Sequence, residues 1–160
     1  MHTLRLYALT LFFSLALGSP SPALAYNSKV KRLAKKTGLS LEILKAAKAE
    51  RFFHRDVYQR RQFIKDLSAN PKKELLPLIV YIGLTENKDE AIRRSCIRMY
   101  AHFGLLVDKK EIRSLVFPAI KKALSNSKRG QDQRWAFEEL VRISRWFQMD
   151  EEITEMLLPL

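Results

Sequence analysis

Cysteine occurs once in the 160 residues, at Cys96. A lone thiol forms no intrachain disulfide, so stability must come from burial. Glycine occurs five times, and only Gly38 and Gly83 lie between Tyr26 and Phe103. That excludes a glycine-rich phosphate loop, which needs clustered glycines to bring backbone N–H groups onto the ligand. The three histidines are scattered, and His54 lies two residues from Asp56, which is not a helical metal-ligand spacing. Acid is scarce: 17 Asp and Glu stand against 29 Lys and Arg, for a formal net charge of +12. Only one long apolar run is present, Leu6 to Leu17.

That run follows Arg5 and precedes Gly18, Pro20, Pro22 and the small residues Ala23 and Ala25. The layout predicts a secretory signal peptide over 1–25, cut after Ala25. The competing reading, an uncleaved anchor, needs a longer run, since a spanning helix takes roughly 20 apolar residues. The chain from Tyr26 onward suits one domain and keeps every cation except Arg5. Its expected location is the periplasm or the exterior. Its charge favours anionic partners, and the export signal argues against nucleic acid.

Strand-type alternation is nearly absent. Apolar residues recur instead at spacings of three and four, as in Ile92, Cys96, Met99 and Phe103 and in Ala136, Leu140, Ile143 and Phe147. The pattern predicts helices at about 29–37, 40–53, 56–69, 72–85, 89–103, 109–125, 131–147 and 151–160, with one bent helix over 40–69 as the alternative to a break at His54-Arg55. Start signals accompany them: Ser40; Asn70-Pro71; the capping pairs Asn87 with Glu90 and Asp108 with Glu111; and Asp150. Gly104 and the stretch 125–130, "SNSKRG", read as stops.

Two prolines fall inside these helices, where a missing N–H and a clash with the preceding turn are costly. Their spacing makes sense of them. Pro77, Pro118 and Pro159 recur every 41 residues, each after two large apolar residues, and Arg93 and Arg134 each follow a proline by 16. A repeat of about 40 residues with two helices per unit predicts stacked helical hairpins. With its interior proline and the stretch "NKDEAIRRSCIRMYAHFG" from Asn87 to Gly104, the chain over 70–160 resembles the HEAT-repeat family of armadillo-like proteins. It departs at Gln133, where an apolar residue is expected. The resemblance implies an all-α, right-handed α-solenoid. Residues 26–69 form an N-terminal helical segment, open to reading as a diverged first unit. The closing "EMLLPL" reads as the first helix of an incomplete third unit, whether that half-unit caps the stack, marks a longer protein or makes an intermolecular contact.

No catalytic constellation is present. Glu138 and Glu139 are adjacent and point different ways on a helix, so they form no acid–base pair. Cys96 lies on the apolar stripe and reads as a packed thiol. No enzyme activity, cofactor or metal is expected. The basic residues carry the functional lead. Lys29 to Lys36, "KVKRLAKK", form one cluster, and Arg60, Arg61, Lys65, Lys72 and Lys73 add to it. In a solenoid of this kind the second helix of each hairpin lines the concave surface. The expected partner-binding residues are therefore Arg94 and Arg98 in one unit and Arg134, Trp135, Arg142 and Arg145 in the next, with Trp146 beside them. Arginine next to aromatic surface suits planar or anionic groups. The expected function is a non-enzymatic scaffold that binds an acidic or extended protein segment. The alternative is a charge-driven binder of envelope glycan, lipid headgroups or nucleic acid.

Overall fold

The computed structural model describes the backbone of residues 22–126 and 130–158, and side chains from Asn27 onward within those ranges. The chain is all-helical there, without strands. The first 21 residues of the leader, part of the 125–130 stop, and Pro159 and Leu160 lie outside the described residues.

Helix α1 spans Pro22–Thr37 and ends at Gly38, whose φ of 71° is the left-handed value a glycine accepts without strain. Ser40 then caps α2, Leu41–Ala46, by accepting the Ile43 N–H. The predicted helix over 40–53 is interrupted. Lys48 turns left-handed, with φ 54°, and Ala49–Phe53 continues as a 3-10 turn. The kink seats both Ala49 and Phe52 in the core. Asp56 caps α3, Val57–Ala69, through the Tyr58 N–H. Asn70 closes α3 instead of opening the next helix, its N–H donating to the Asp66 carbonyl.

Helix α4, Leu76–Thr85, follows a short 3-10 turn at Lys73–Leu75. Helix α5, Glu90–Arg98, continues almost directly into α6, Tyr100–Gly104. Its cap is Asp89, not Asn87, because the Asp89 carboxylate accepts both the Ala91 and the Ile92 N–H. The Asp108–Glu111 capping box is present in both directions. It opens α7, Lys109–Glu111, which runs through a π-helical turn at Ile112–Val116 into α8, Phe117–Leu124. Helix α9 spans Gly130–Phe147, and α10 spans Asp150–Leu157. Asp150 begins α10 as a helical residue and accepts a hydrogen bond from the Ser144 hydroxyl.

Pro77 and Pro118 occupy the same place, the second residue of α4 and of α8. Each sits where the preceding helical turn changes type, so the regular α-helical ladder is already interrupted at the missing N–H. The irregular turn that precedes each proline, 3-10 before Pro77 and π before Pro118, absorbs the clash.

Packing follows chain order. Helix α4 pairs with α5, and α8 with α9. Along the first-helix side α1 packs on α4, α4 on α8, and α8 on α10. Along the second-helix side α3 packs on α5 and α5 on α9. One continuous core runs through the layers. Leu78, Ile79 and Ile82 on α4 meet Ile92, Cys96 and Tyr100, and Ile112, Val116 and Ile120 meet Ala136, Leu140 and Ile143, all almost wholly buried. Each buried Leu or Ile contributes about 1.5–3 kcal/mol relative to exposure.

Gly83 shows how close α4 and α5 approach. A Cβ there would lie 2.5 Å from the Tyr100 Oη and 3.2 Å from the Cys96 Cβ. The Tyr100 hydroxyl is buried without a hydrogen-bond partner among the described residues. Gly83→Ala should therefore destabilise the chain by about 1–3 kcal/mol through overpacking. Tyr100→Phe should be near neutral, because it removes an unsatisfied hydroxyl, and it should recover most of the loss when combined with Gly83→Ala. Urea denaturation of the two single variants and the double variant measures both effects. A double variant no more stable than Gly83→Ala would refute the close approach.

Candidate functional site

The starts of α3, α5 and α9 are tied to one another by polar contacts. Arg60 and Arg61 lie one turn into α3. Arg60 donates to Glu86 at 3.0 Å, and the Arg61 guanidinium holds both oxygens of Asp89 at 2.9 and 3.2 Å. One layer on, Arg93 on α5 donates from Nε to both oxygens of Asp132 on α9, at 3.0 and 3.3 Å. Burial alone would raise the Asp89 carboxyl, but hydrogen bonds from Arg61 and from the Ile92 N–H outweigh it and hold the group below its ordinary range. The first-helix side carries a similar tie, Arg113 to Glu152. These pairs fix the spacing of α3, α5 and α9.

Burial departs from the register that the prolines predict. Ile92, Cys96, Ile97 and Tyr100 are buried on α5, and residues 43 positions on, Trp135, Glu139, Leu140 and Ile143, are buried on α9. The proline interval of 41 would pair Arg93 with Arg134, yet the two differ. Arg93 is buried, whereas Arg134 is exposed and pairs along its own helix with Glu138 at 3.1 Å. Relative to the prolines, the buried positions of α9 are shifted by two residues.

A groove of about 530 Å³ runs between α3 and α5. Its basic lining comprises Arg61, Lys65, Arg94, Arg98 and His102, with the Ser68 and Ser95 hydroxyls between them. No acidic residue lines it. Lys65 and Arg98 are exposed and enter no ion pair among the described residues. Arg94 is braced from below, its guanidinium 5.8 Å from the centre of the Trp135 ring. A larger groove of about 1020 Å³ continues past Arg61 and Arg94 towards Phe52, Phe53, Val57 and Tyr81.

Of the residues singled out from sequence, Arg94 and Arg98 line the basic groove together. Trp135 is buried and supports Arg94 from α9. Arg142 donates to Glu139 at 2.6 Å. Arg145 and the half-exposed Trp146 lie further along α9, and Arg134 is spent on Glu138. In the sequence Arg61 and Lys65 register only as added charge, and their pairing with Arg94 and Arg98 across two helices has no signature within either helix.

Glu139 is the least expected feature. It is wholly buried on α9, with one carboxylate oxygen on Arg142 and the other without a hydrogen-bond partner. Burial pushes its carboxyl up to about 7, partly opposed by Arg142, the Ala101 N–H and Arg98. It belongs to the stripe of Trp135, Ala136, Leu140 and Ile143, which is the signal that reveals it.

Other chemistry is not assembled among the described residues. No three metal-binding side chains come together there, and His54 Nδ1 accepts the Asp56 N–H in a turn. Cys96 is buried, which pushes its thiol far up. No described helix is long and apolar enough to cross a membrane. Comparison with protein-family models, curated proteins and solved structures finds no match to this chain.

Proposed function

We propose that this chain is an exported, HEAT-like right-handed α-solenoid that binds an acidic, extended segment of a partner protein without catalysing a reaction. The observation that carries the reading is the basic groove between α3 and α5: Lys65, Arg94 and Arg98 outside any ion pair among the described residues, Arg61 held by Asp89, two hydroxyls and no carboxylate in the lining. The successive packing of α3 on α5 and α5 on α9, with α1, α4 and α8 beside them, supports the solenoid. The equivalent settings of Pro77 and Pro118 support the repeat. Export rests on the leader over 1–25, and the periplasm or the exterior is the location it implies.

Binding follows from the physics of such a groove. The positive field steers an anionic segment, and Arg94, already held by Trp135, loses little freedom on contact. The double variant Arg94→Glu/Arg98→Glu should abolish capture of acidic partners from envelope extracts while leaving the circular dichroism unchanged, since both side chains are exposed. Undiminished capture would remove the groove from consideration. Loss of binding that tracks salt alone, with heparin or anionic vesicles bound as well as protein, would instead favour the polyanion class.

A further inference from the structure

The two grooves between α3 and α5 meet at Arg61 and Arg94, which line both. Their far ends differ in chemistry. Beyond Lys65 and Arg98 the lining is cationic and free of acid. In the other direction it gains apolar surface, with Phe53, the exposed Val57 and Tyr81, and it carries carboxylates beside the exposed Arg55 and Lys88. Glu86 and Asp89 are neutralised by Arg60 and Arg61, while Glu90 is exposed at the lip. An acidic side chain therefore meets only basic groups in one half, whereas in the other Glu90 offsets part of the charge of Arg55 and Lys88. An apolar side chain finds aromatic surface only in the second half.

We infer that the continuous groove is a two-part peptide site, taking an apolar anchor residue beside Val57 and Tyr81 and an acidic cluster beside Lys65 and Arg98. This rests on the acidic-segment reading above and adds the order and spacing of the ligand. Val57 and Lys65 are eight residues apart on α3, so along the axis they are separated by about 12 Å at ~1.5 Å per residue. An extended peptide covers that in about four residues at ~3.3 Å each. The ligand is thus a short segment in which a large apolar residue stands about four positions from two or three acids. Charge complementarity fixes the acidic half. Arg94 at the junction holds the intervening backbone carbonyls or a further acid.

Fluorescence anisotropy with three labelled peptides tests the proposal on residues 26–160. One carries a phenylalanine separated by glycines from a block of three glutamates, the second has the same composition with phenylalanine inside the block, and the third has glutamates alone. The spaced peptide should bind about tenfold more tightly than the other two, the effect of burying one large apolar side chain. Val57→Ser, which removes the apolar contact without adding a like charge, should shrink the difference between the spaced peptide and the other two. Lys65→Glu should weaken all three. Equal binding of the three peptides, still abolished by Arg94→Glu/Arg98→Glu, would overturn the two-part site and keep the acidic-segment reading. Absence of binding by any peptide to the wild type would overturn both.

Discussion

Arg93→Ala is expected to cost about 3–5 kcal/mol, among the largest losses of any single side chain in the molecule. The guanidinium is buried between α5 and α9 and meets both oxygens of Asp132, itself buried. Truncation removes that counter-charge from a carboxylate that is itself buried. For a chain of this size the melting temperature should fall by on the order of 10 °C. The control is Arg61→Ala. Arg61 is exposed, and its partner Asp89 keeps two backbone N–H groups, so the expected loss is only a small fraction of that for Arg93→Ala. Replacing both members of the buried pair, Arg93→Met with Asp132→Leu, should recover part of the stability, because a buried carboxylate deprived of its Arg93 counter-charge costs more than the pair's mutual attraction contributes. Thermal and urea unfolding of the four proteins check this. Equal losses for Arg93→Ala and Arg61→Ala would mean that the buried pair does not hold the two layers together.

Glu139→Gln is expected to stabilise the protein at pH 8 and to flatten its pH dependence. In the folded chain the Glu139 carboxyl is pushed up to about 7, against an ordinary value of 4.5. Between those values the folded state keeps a proton that the unfolded chain releases. Stability from this group is therefore complete below the ordinary value and declines as pH rises through the folded one. The total decline is roughly 3 kcal/mol, because each pH unit between the two values contributes about 1.4 kcal/mol. The charges around the carboxyl explain why it is raised no further: Arg142 touches one oxygen and Arg98 lies nearby, while Glu138 acts in the opposite sense. At lower pH the sign reverses. Asp66, Asp89 and Glu152 are held below their ordinary range by Arg51, Arg61 and Arg113, so their contributions are lost as pH falls through their folded values. Urea unfolding of wild type and Glu139→Gln at pH 5 and pH 8 decides the matter. Parallel pH dependences in the two proteins would show that the buried carboxylate has no such effect.

Much of the helical framework is legible in the sequence, because burial of one face writes itself into spacings of three and four. The segment at 56–69 and the Asp108–Glu111 box appear where the pattern puts them, since cap and stripe agree there. Proline spacing points to equivalent first helices, and Pro77 and Pro118 share one position. The break at Lys48 is hidden, because a lysine in the left-handed region leaves no mark in composition. Asn87 and Asp89 both suit a cap, and Asp89 is held in place by Arg61 from 28 residues away and by its own N–H on Glu86, neither of which the capping pattern reveals. The candidate site is half legible. Arg94 and Arg98 stand on an exposed face that the stripe predicts, but Lys65 joins them from a different helix. Comparing Glu139 with its neighbour Glu138 conceals its burial, which its place within the apolar stripe gives away.

The central claim is that an acidic segment docks between α3 and α5. Chemical-shift mapping of the isotopically labelled chain, titrated with a glutamate-rich peptide, tests it most directly. Perturbed resonances should concentrate at Arg61, Lys65, Arg94, Arg98 and His102, and the perturbations should vanish in Arg94→Glu/Arg98→Glu. Perturbations spread over Lys29 to Lys36 and the remaining surface lysines, unaffected by that double variant, would contradict it.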